Sequence, residues 1–377
     1  MKICVNTRFL IKDKLEGIGV FTFEILKEFC KRHPEHEFYF LFDRKPSQDF
    51  VFPGNIKPVI LFPPARHPIL WLIWYEVSVY RKLKRIKPDV FISMDGMIPL
   101  KSKVKSIAVI HDIAFESFPE AVPFLVRKYY QLFFPQYARK ATKIITVSEF
   151  SQKDIAEKYH LSPDKIHVVY NGHQGVFKPL DKAEISKIRE EVSRGYPYFL
   201  YNGSLHPRKN VSNLLKAFDL FKEKDRQNIK LVISGRRAWK TKEMERVYEN
   251  MNFKDEVIFT GWLPEKKLAE LTASALAFVY VSLFEGFGIP VLNAMYCDVP
   301  VIVSNTSSLP EVAGDAALYT APADFRQLAD MMYLISVDDL IRKELVEKGR
   351  KQRGKFSWVK SAEGFEEVLN IVLFELT

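Results

Sequence analysis

The chain has 377 residues, 47% hydrophobic and 14% aromatic, and a formal net charge of +10. That length exceeds one ordinary doubly wound domain and fits two of roughly 170 to 190 residues, each able to bury its own core. No run approaches the roughly 18 apolar residues of a membrane span; the densest, Ile69 to Tyr75, stops at Glu76.

Residues 1–175 carry 27 Lys/Arg against 18 Asp/Glu, hence +9, whereas the rest carries 29 against 28, hence +1. The basic surface is expected on the first half. An anionic membrane surface or a phosphorylated partner accounts for it better than nucleic acid, for which no recognition motif exists, and a solvated basic face is the alternative. Cys4, Cys30 and Cys297 lie in apolar surroundings without metal spacing, so buried reduced thiols in a reducing cytoplasm are expected.

Met1 to Leu10 reads as a first strand rather than a signal peptide, since no basic region precedes a longer apolar one, and export is not expected. Further strands of the first half are predicted near 37–42, 89–94, 106–111 and 144–147, the first strand itself near 3–9, with helices near 20–31 and 71–87. Gly17-Ile18-Gly19 precedes the first helix and offers a backbone approach to its N-terminus, although a plain turn explains a lone Gly-x-Gly equally well. The 71–87 helix is rich in Trp and Tyr and ends in a basic run that suits a helix C-terminus. His111-Asp112 follows an apolar strand, at the edge where open α/β sheets bind ligands. In Thr146-Val147-Ser148-Glu149 the serine reads as a helix N-cap.

Phe177-Lys178-Pro179 reads as a linker. After it, strands are predicted near 198–202, 230–234, 257–260, 276–281 and 299–304, and helices near 211–224, 240–250, 265–273, 324–335, 338–353 and 358–376. Strands alternating with helices imply parallel sheets covered by helices. The fold class is therefore α/β, with two Rossmann-like domains, 1–177 and 178–355, whose carboxyl edges face a common cleft.

Two segments of the second half concentrate chemistry. Gly203-Ser204-Leu205-His206-Pro207-Arg208-Lys209-Asn210 puts two cations just ahead of a helix, where they oppose its dipole unless an anion lies between them. A diphosphate suits that place, gripped by the arginine fork and the lysine charge. Phe284-Glu285-Gly286-Phe287-Gly288-Ile289-Pro290 joins an apolar strand to a helix through two glycines. Glu285 there is either an electrostatic cap or the ligand of a molecule at the sheet edge. No Asp-x-Asp pair is present to carry a metal diphosphate, so no metal is expected and leaving-group charge falls to protein cations and helix N-termini.

Taken with HDIAFESFPE, TVSEFS and SSLPEVAGDAALY, these segments resemble the family 4 retaining glycosyltransferases of GT-B architecture, in particular bacterial mannosyltransferases of surface polysaccharide synthesis. The resemblance implies transfer of a sugar from a nucleoside diphosphate sugar to an acceptor hydroxyl. It implies that Glu285 contacts the donor sugar, that Arg208 and Lys209 hold its diphosphate, and that His111 lies beside the transferred sugar. By the same resemblance Gly17, Gly19, Gly203, Gly286, Phe287, Gly288 and Ile289 help to bind the donor, Gly261 and Leu263 belong to the stretch that selects the base, and residues 356–377 cross back to the first domain. No cofactor is expected. GDP-mannose is the first expectation for the donor and a UDP-sugar the second; the expected acceptor is a saccharide or lipid-linked saccharide at the inner membrane face. One position departs from the family: Asn293 stands where a second glutamate usually binds ribose. A sugar-nucleotide 2-epimerase and a non-catalytic nucleotide-sugar binder are the alternatives.

Overall fold

A computed structural model describes every residue except 13, 14, 16, 174, 237–241 and 375–377. The chain divides into two compact units, one of Met1–Gly172 with the segment from Ser357 on, the other His173–Phe356. The division falls ahead of the Phe177-Lys178-Pro179 segment read as the linker.

The first unit opens with β1 (Lys2–Asn6), α1 (Ile18–Arg32), β2 (Glu37–Phe42), β3 (Asn55–Ile60) and α2 (Pro68–Ile73). A π-helical turn, Trp74–Val79, carries α2 into α3 (Tyr80–Ile86). There follow β4 (Val90–Ser93), β5 (Ser106–Val109), α4 (Ala114–Ser117), α5 (Phe124–Lys140), β6 (Lys143–Thr146), α6 (Glu149–Tyr159) and β7 (Ile166–Val168). All seven strands are parallel, in the order β3-β2-β1-β4-β5-β6-β7. Two strands were not expected. β3 is a mostly exposed edge strand interrupted by Pro58, so it carries no apolar run, and β7 spans only three residues. Helix α5 was also unforeseen, because Pro135 interrupts it and its apolar stripe is weak. Ser148 caps α6 as expected, accepting the Ser151 amide at 3.0 Å.

The second unit contains α7 (Lys182–Ser193), β8 (Tyr198–Asn202), α8 (Val211–Lys222), β9 (Lys230–Ser234), α9 (Lys242–Glu249), β10 (Val257–Gly261), α10 (Glu265–Ala273), β11 (Ala277–Tyr280), α11 (Ile289–Tyr296), β12 (Val301–Ser304), α12 (Leu309–Ala313), β13 (Ala317–Thr320), α13 (Phe325–Val337) and α14 (Asp339–Arg353). Its six parallel strands run β10-β9-β8-β11-β12-β13. Residues 240–241, expected to begin α9, lie outside the described residues, as do 375–376, expected to end the last helix. That helix, α15 (Trp358–Phe374), packs on α1 and completes the first unit.

The two sheets share a topological property. Strand order reverses between β1 and β4 in the first and between β8 and β11 in the second. Connections there leave in opposite directions and open a crevice at the carboxyl edge, the usual place for a ligand in such sheets.

Candidate active site

The second unit places its chemistry at its reversal point. Lys209 follows β8 and Glu285 follows β11, and the lysine Nζ donates to Glu285 Oε1 at 2.6 Å and to the Tyr280 hydroxyl at 2.8 Å. Arg208 Nη1 donates to the carbonyl of Phe284 and lies 3.5 Å from Glu285 Oε2. The Glu285 side chain is only 8% exposed. Burial pushes its pKa up, but the charges of Lys209 and Arg208 outweigh burial and hold the carboxyl below its ordinary value. Sequence reasoning assigned the anion facing these cations to a diphosphate; in the structure Glu285 supplies that counter-charge.

The backbone around this cluster is tied across the reversal point. Asn210, held at φ 61°, donates from Nδ2 to the carbonyls of Val281 at 2.9 Å and Pro322 at 2.6 Å, and the Leu283 amide donates to the Arg208 carbonyl at 2.9 Å. The Glu285 amide donates to Ser307 Oγ at 3.0 Å, and Ser308 Oγ reaches the carbonyls of Glu285 at 2.9 Å and Phe287 at 2.8 Å. Phe287 is buried, edge-on to Phe356 at 5.5 Å. The carboxylate is thus fixed on both sides, an arrangement that preorganises a site. Tyr280, Asn210, Ser307 and Ser308 were not foreseen. The serines lie in the quoted SSLPEVAGDAALY stretch, but their bonds are visible only once α12 stands beside the loop.

Gly288 precedes α11 at φ 110°, and a Cβ there would stand 2.8 Å from Leu309 Cδ2. Ile289 begins α11, and Gly286 is buried within the connecting loop. Gly203, Gly235 and Gly261 follow or end the adjacent strands β8, β9 and β10; the Gly203 amide bonds to Ser234 and the Gly235 amide to Gly261. This row leaves one side of the sheet edge without side chains, open to close approach by a ligand. Gly261 is exposed and Leu263 half-buried beyond it. Asn293 is buried in α11, and its Oδ1 has no hydrogen-bond partner among the described residues.

His111, Gly17 and Gly19 belong to the first unit. His111 follows β5, with the ring of Phe21 from α1 edge-on at 5.0 Å. Burial pushes the imidazole pKa down to about 4, against smaller opposing effects of Asp112 and the Met94 backbone, so the ring is neutral at pH 7. Its Nε2 is buried without a hydrogen-bond partner among the described residues. The helix begins at Ile18, not Val20, so Gly19 lies inside its first turn. A Cβ there would meet the Phe9 carbonyl at 2.9 Å, which makes close packing its evident role, whereas Gly17 is exposed with open space around it. Among the described residues, metal-type ligands gather at His33, Glu35 and His36, beyond the C-terminal end of α1, and not around Glu285.

Comparison with known proteins identifies the family and the fold. Residues 15–173 match Glycosyltransferase Family 4, and residues 183–352 match Glycosyl transferases group 1. O-antigen chain mannosyltransferase B of Escherichia coli is 32% identical over 255 residues, 67% of each chain. The O-antigen chain mannosyltransferase RfbU of Salmonella typhimurium is 27% identical over 257 residues, again 67% of each. The structure of Anabaena HepE in complex with UDP and glucose superposes with a TM-score of 0.77 at 16% identity, covering 98% of this chain and 99% of that one. The chain belongs to the family 4 glycosyltransferases, built on two Rossmann-like units of the GT-B fold.

Proposed function

We propose that this chain moves a hexose, with mannose the first expectation, from a nucleoside diphosphate sugar to a hydroxyl of a saccharide or lipid-linked acceptor, with retention of anomeric configuration. The observation that carries the reading is the buried Glu285 held between Lys209 and Arg208 at the reversal point of the second sheet. A carboxylate fixed on its loop is suited to accept hydrogen bonds from sugar hydroxyls. Adjacent cations are suited to the diphosphate and to the charge that grows on it as the glycosidic bond breaks. No carboxylate nucleophile is assigned. The departing phosphate takes the acceptor proton on the same face. Mannose is favoured by the two O-antigen mannosyltransferases, and a UDP-sugar remains the second donor because HepE binds UDP.

The proposed location is the cytoplasmic face of a membrane, held peripherally. No helix among the described residues is long and apolar enough to cross one. Helix α2 and the π-helical turn after it instead expose Ile69, Leu72, Ile73 and Val77, and α3 follows with exposed Arg81, Lys84 and Arg85, a pattern suited to an anionic lipid surface. Cosedimentation with anionic vesicles, released by salt, tests this; salt-insensitive retention opposes it.

A panel of UDP-, GDP- and ADP-sugars, assayed for slow hydrolysis and for transfer, tests the activity. Glu285→Ala and Lys209→Ala are expected to lose transfer while keeping the fold, and near-native turnover in both would sink the assignment. Conversion of the donor without an acceptor would favour an epimerase instead.

A further inference from the structure

The first sheet carries its own cation–carboxylate pair at its reversal point. Arg8 follows β1 and Asp95 follows β4; Arg8 Nε donates to Asp95 Oδ2, and both side chains are almost wholly buried. Asp95 is saturated, accepting also from Tyr75 Oη, Ser93 Oγ and the Met97 amide at 2.8–3.2 Å. Burial lowers the pKa of Arg8, but the charge of Asp95 more than restores it, so the guanidinium stays charged. A cavity of about 300 Å³ opens beside it, lined by Arg8, Arg44 and Arg66 and walled by Phe9, Trp71 and Tyr130. Arg44 follows β2, so this cavity occupies the carboxyl edge of the sheet, in the position that the Glu285 cluster takes in the second unit.

Three guanidiniums face two carboxylates here. Arg44 is held by the buried Asp43 through Nε at 2.6 Å and Nη2 at 2.8 Å, which leaves its Nη1 unused among the described residues. The Arg66 side chain has no hydrogen-bond or ion-pair partner among the described residues. Arg8 stacks against Phe9 and Trp71, with its Cζ 4.7 and 5.5 Å from the ring centroids. Arg8 also donates from Nη1 to the Ala65 carbonyl at 3.1 Å and from Nη2 to Met97 Sδ at 3.8 Å, which leaves one N–H on each for a ligand. Two arginines are therefore oriented by carboxylates behind them, and the third, Arg66, is exposed to solvent without a protein partner among the described residues. That is the donor pattern and charge of a phosphate cradle.

We propose that this cavity binds a phosphate or diphosphate group of the acceptor, so that the acceptor is a phosphate-bearing saccharide. The inference rests on the glycosyltransferase reading above for the word acceptor, but the binding site stands without it.

The test uses the full chain in two arms. In the first, inorganic pyrophosphate is titrated calorimetrically into the Lys209→Ala protein at fixed ionic strength, so that the donor side is weakened. Saturable binding is expected, and Arg44→Ala or Arg66→Ala on that background should weaken it by roughly tenfold each, as loss of a charge-assisted hydrogen bond does. Absence of binding, or binding indifferent to both substitutions, overturns the proposal. In the second arm, the same saccharide is offered as a soluble sugar phosphate, as a short-chain prenyl diphosphate ester in micelles, and as an uncharged methyl glycoside. Arg66→Ala should raise KM for the charged acceptors and not for the glycoside; an equal change for all three overturns it. A lower KM for the prenyl ester identifies a lipid-linked source and a lower KM for the sugar phosphate a soluble one. Failure of transfer with every acceptor would count against the assigned function, whereas the pyrophosphate arm would still decide on the cavity.

Discussion

In the proposed function Glu285 and the donor diphosphate compete for the same two cations, and Glu285→Gln separates them. In the structure Lys209 Nζ lies 2.6 Å from one carboxylate oxygen and Arg208 Nη1 3.5 Å from the other. A charge-assisted hydrogen bond contributes about 1.5–3 kcal/mol, and the glutamine oxygen would retain about 1 kcal/mol of that. Releasing the lysine is then about 0.5–2 kcal/mol easier, so UDP or GDP should bind about 2- to 30-fold more tightly to the variant. Sugar transfer should move the other way and fall about tenfold or more, because hydrogen bonds from the sugar hydroxyls lose their ionic acceptor. Calorimetric titration with UDP and GDP at fixed ionic strength, beside initial transfer rates, gives both quantities. Because the Glu285 carboxyl lies below its ordinary value, native protein should show no comparable gain in affinity between about pH 5 and 8. Weaker nucleotide binding by the variant would refute the reasoning, since it would make the carboxylate a partner of the nucleotide rather than its rival.

Asn293→Glu should lower the donor KM about 5- to 10-fold with little change in kcat, because a charged acceptor replaces an amide oxygen that is buried without a partner among the described residues; a large rise in kcat at unchanged KM would contradict this. Gly235→Ala is expected to lower the Tm by about 6 °C or more, since a Cβ at this φ 146° position would fall 1.8 Å from the Gly203 carbonyl oxygen and force the ends of β8 and β9 apart. A Tm within about a degree of native would oppose that reading. For His111 the folded pKa is depressed from 6.5 to about 4, so the unfolded chain takes up a proton first as pH falls. Its contribution is complete above about pH 6.5 and is lost progressively towards pH 4, about 2 kcal/mol between pH 7 and 5. Urea midpoints at those two pH values should differ less in His111→Gln, and equal losses in both proteins would refute the assignment.

Buried parallel strands were legible because their sequences are short unbroken apolar runs. Tyr198–Asn202 and Lys230–Ser234 have the bounds read from the sequence, whereas the exposed, proline-bearing Asn55–Ile60 gave no such signal. Arg208 and Lys209 were legible through a local conflict, cations ahead of a helix. Arg8 was not, because nothing near it in sequence is anomalous: Asp95 lies 87 residues away, and only the parallel pairing of β1 with β4 brings the two together. Ser307 and Ser308 were hidden for the same reason, their bonds to the Glu285 loop spanning more than twenty residues.

The place of α15 bears on how the protein is made. Phe29 of α1 packs against Phe365 at 5.5 Å, Phe21 against Trp358 at 6.1 Å, and Ser361 Oγ bonds to the Tyr170 carbonyl at 2.6 Å. Gly172 lies so close to Trp358 that a Cβ would meet its amide nitrogen at 2.4 Å. During translation the first 172 residues therefore leave the ribosome with aromatic faces of α1 uncovered, because α15 is made only after the whole second unit. The second unit is continuous in sequence, so it can close while the first still waits. Completion of the N-terminal unit before the second, the usual order for successive domains, is therefore not open to this chain: the first unit gains its last helix only after the second has been made.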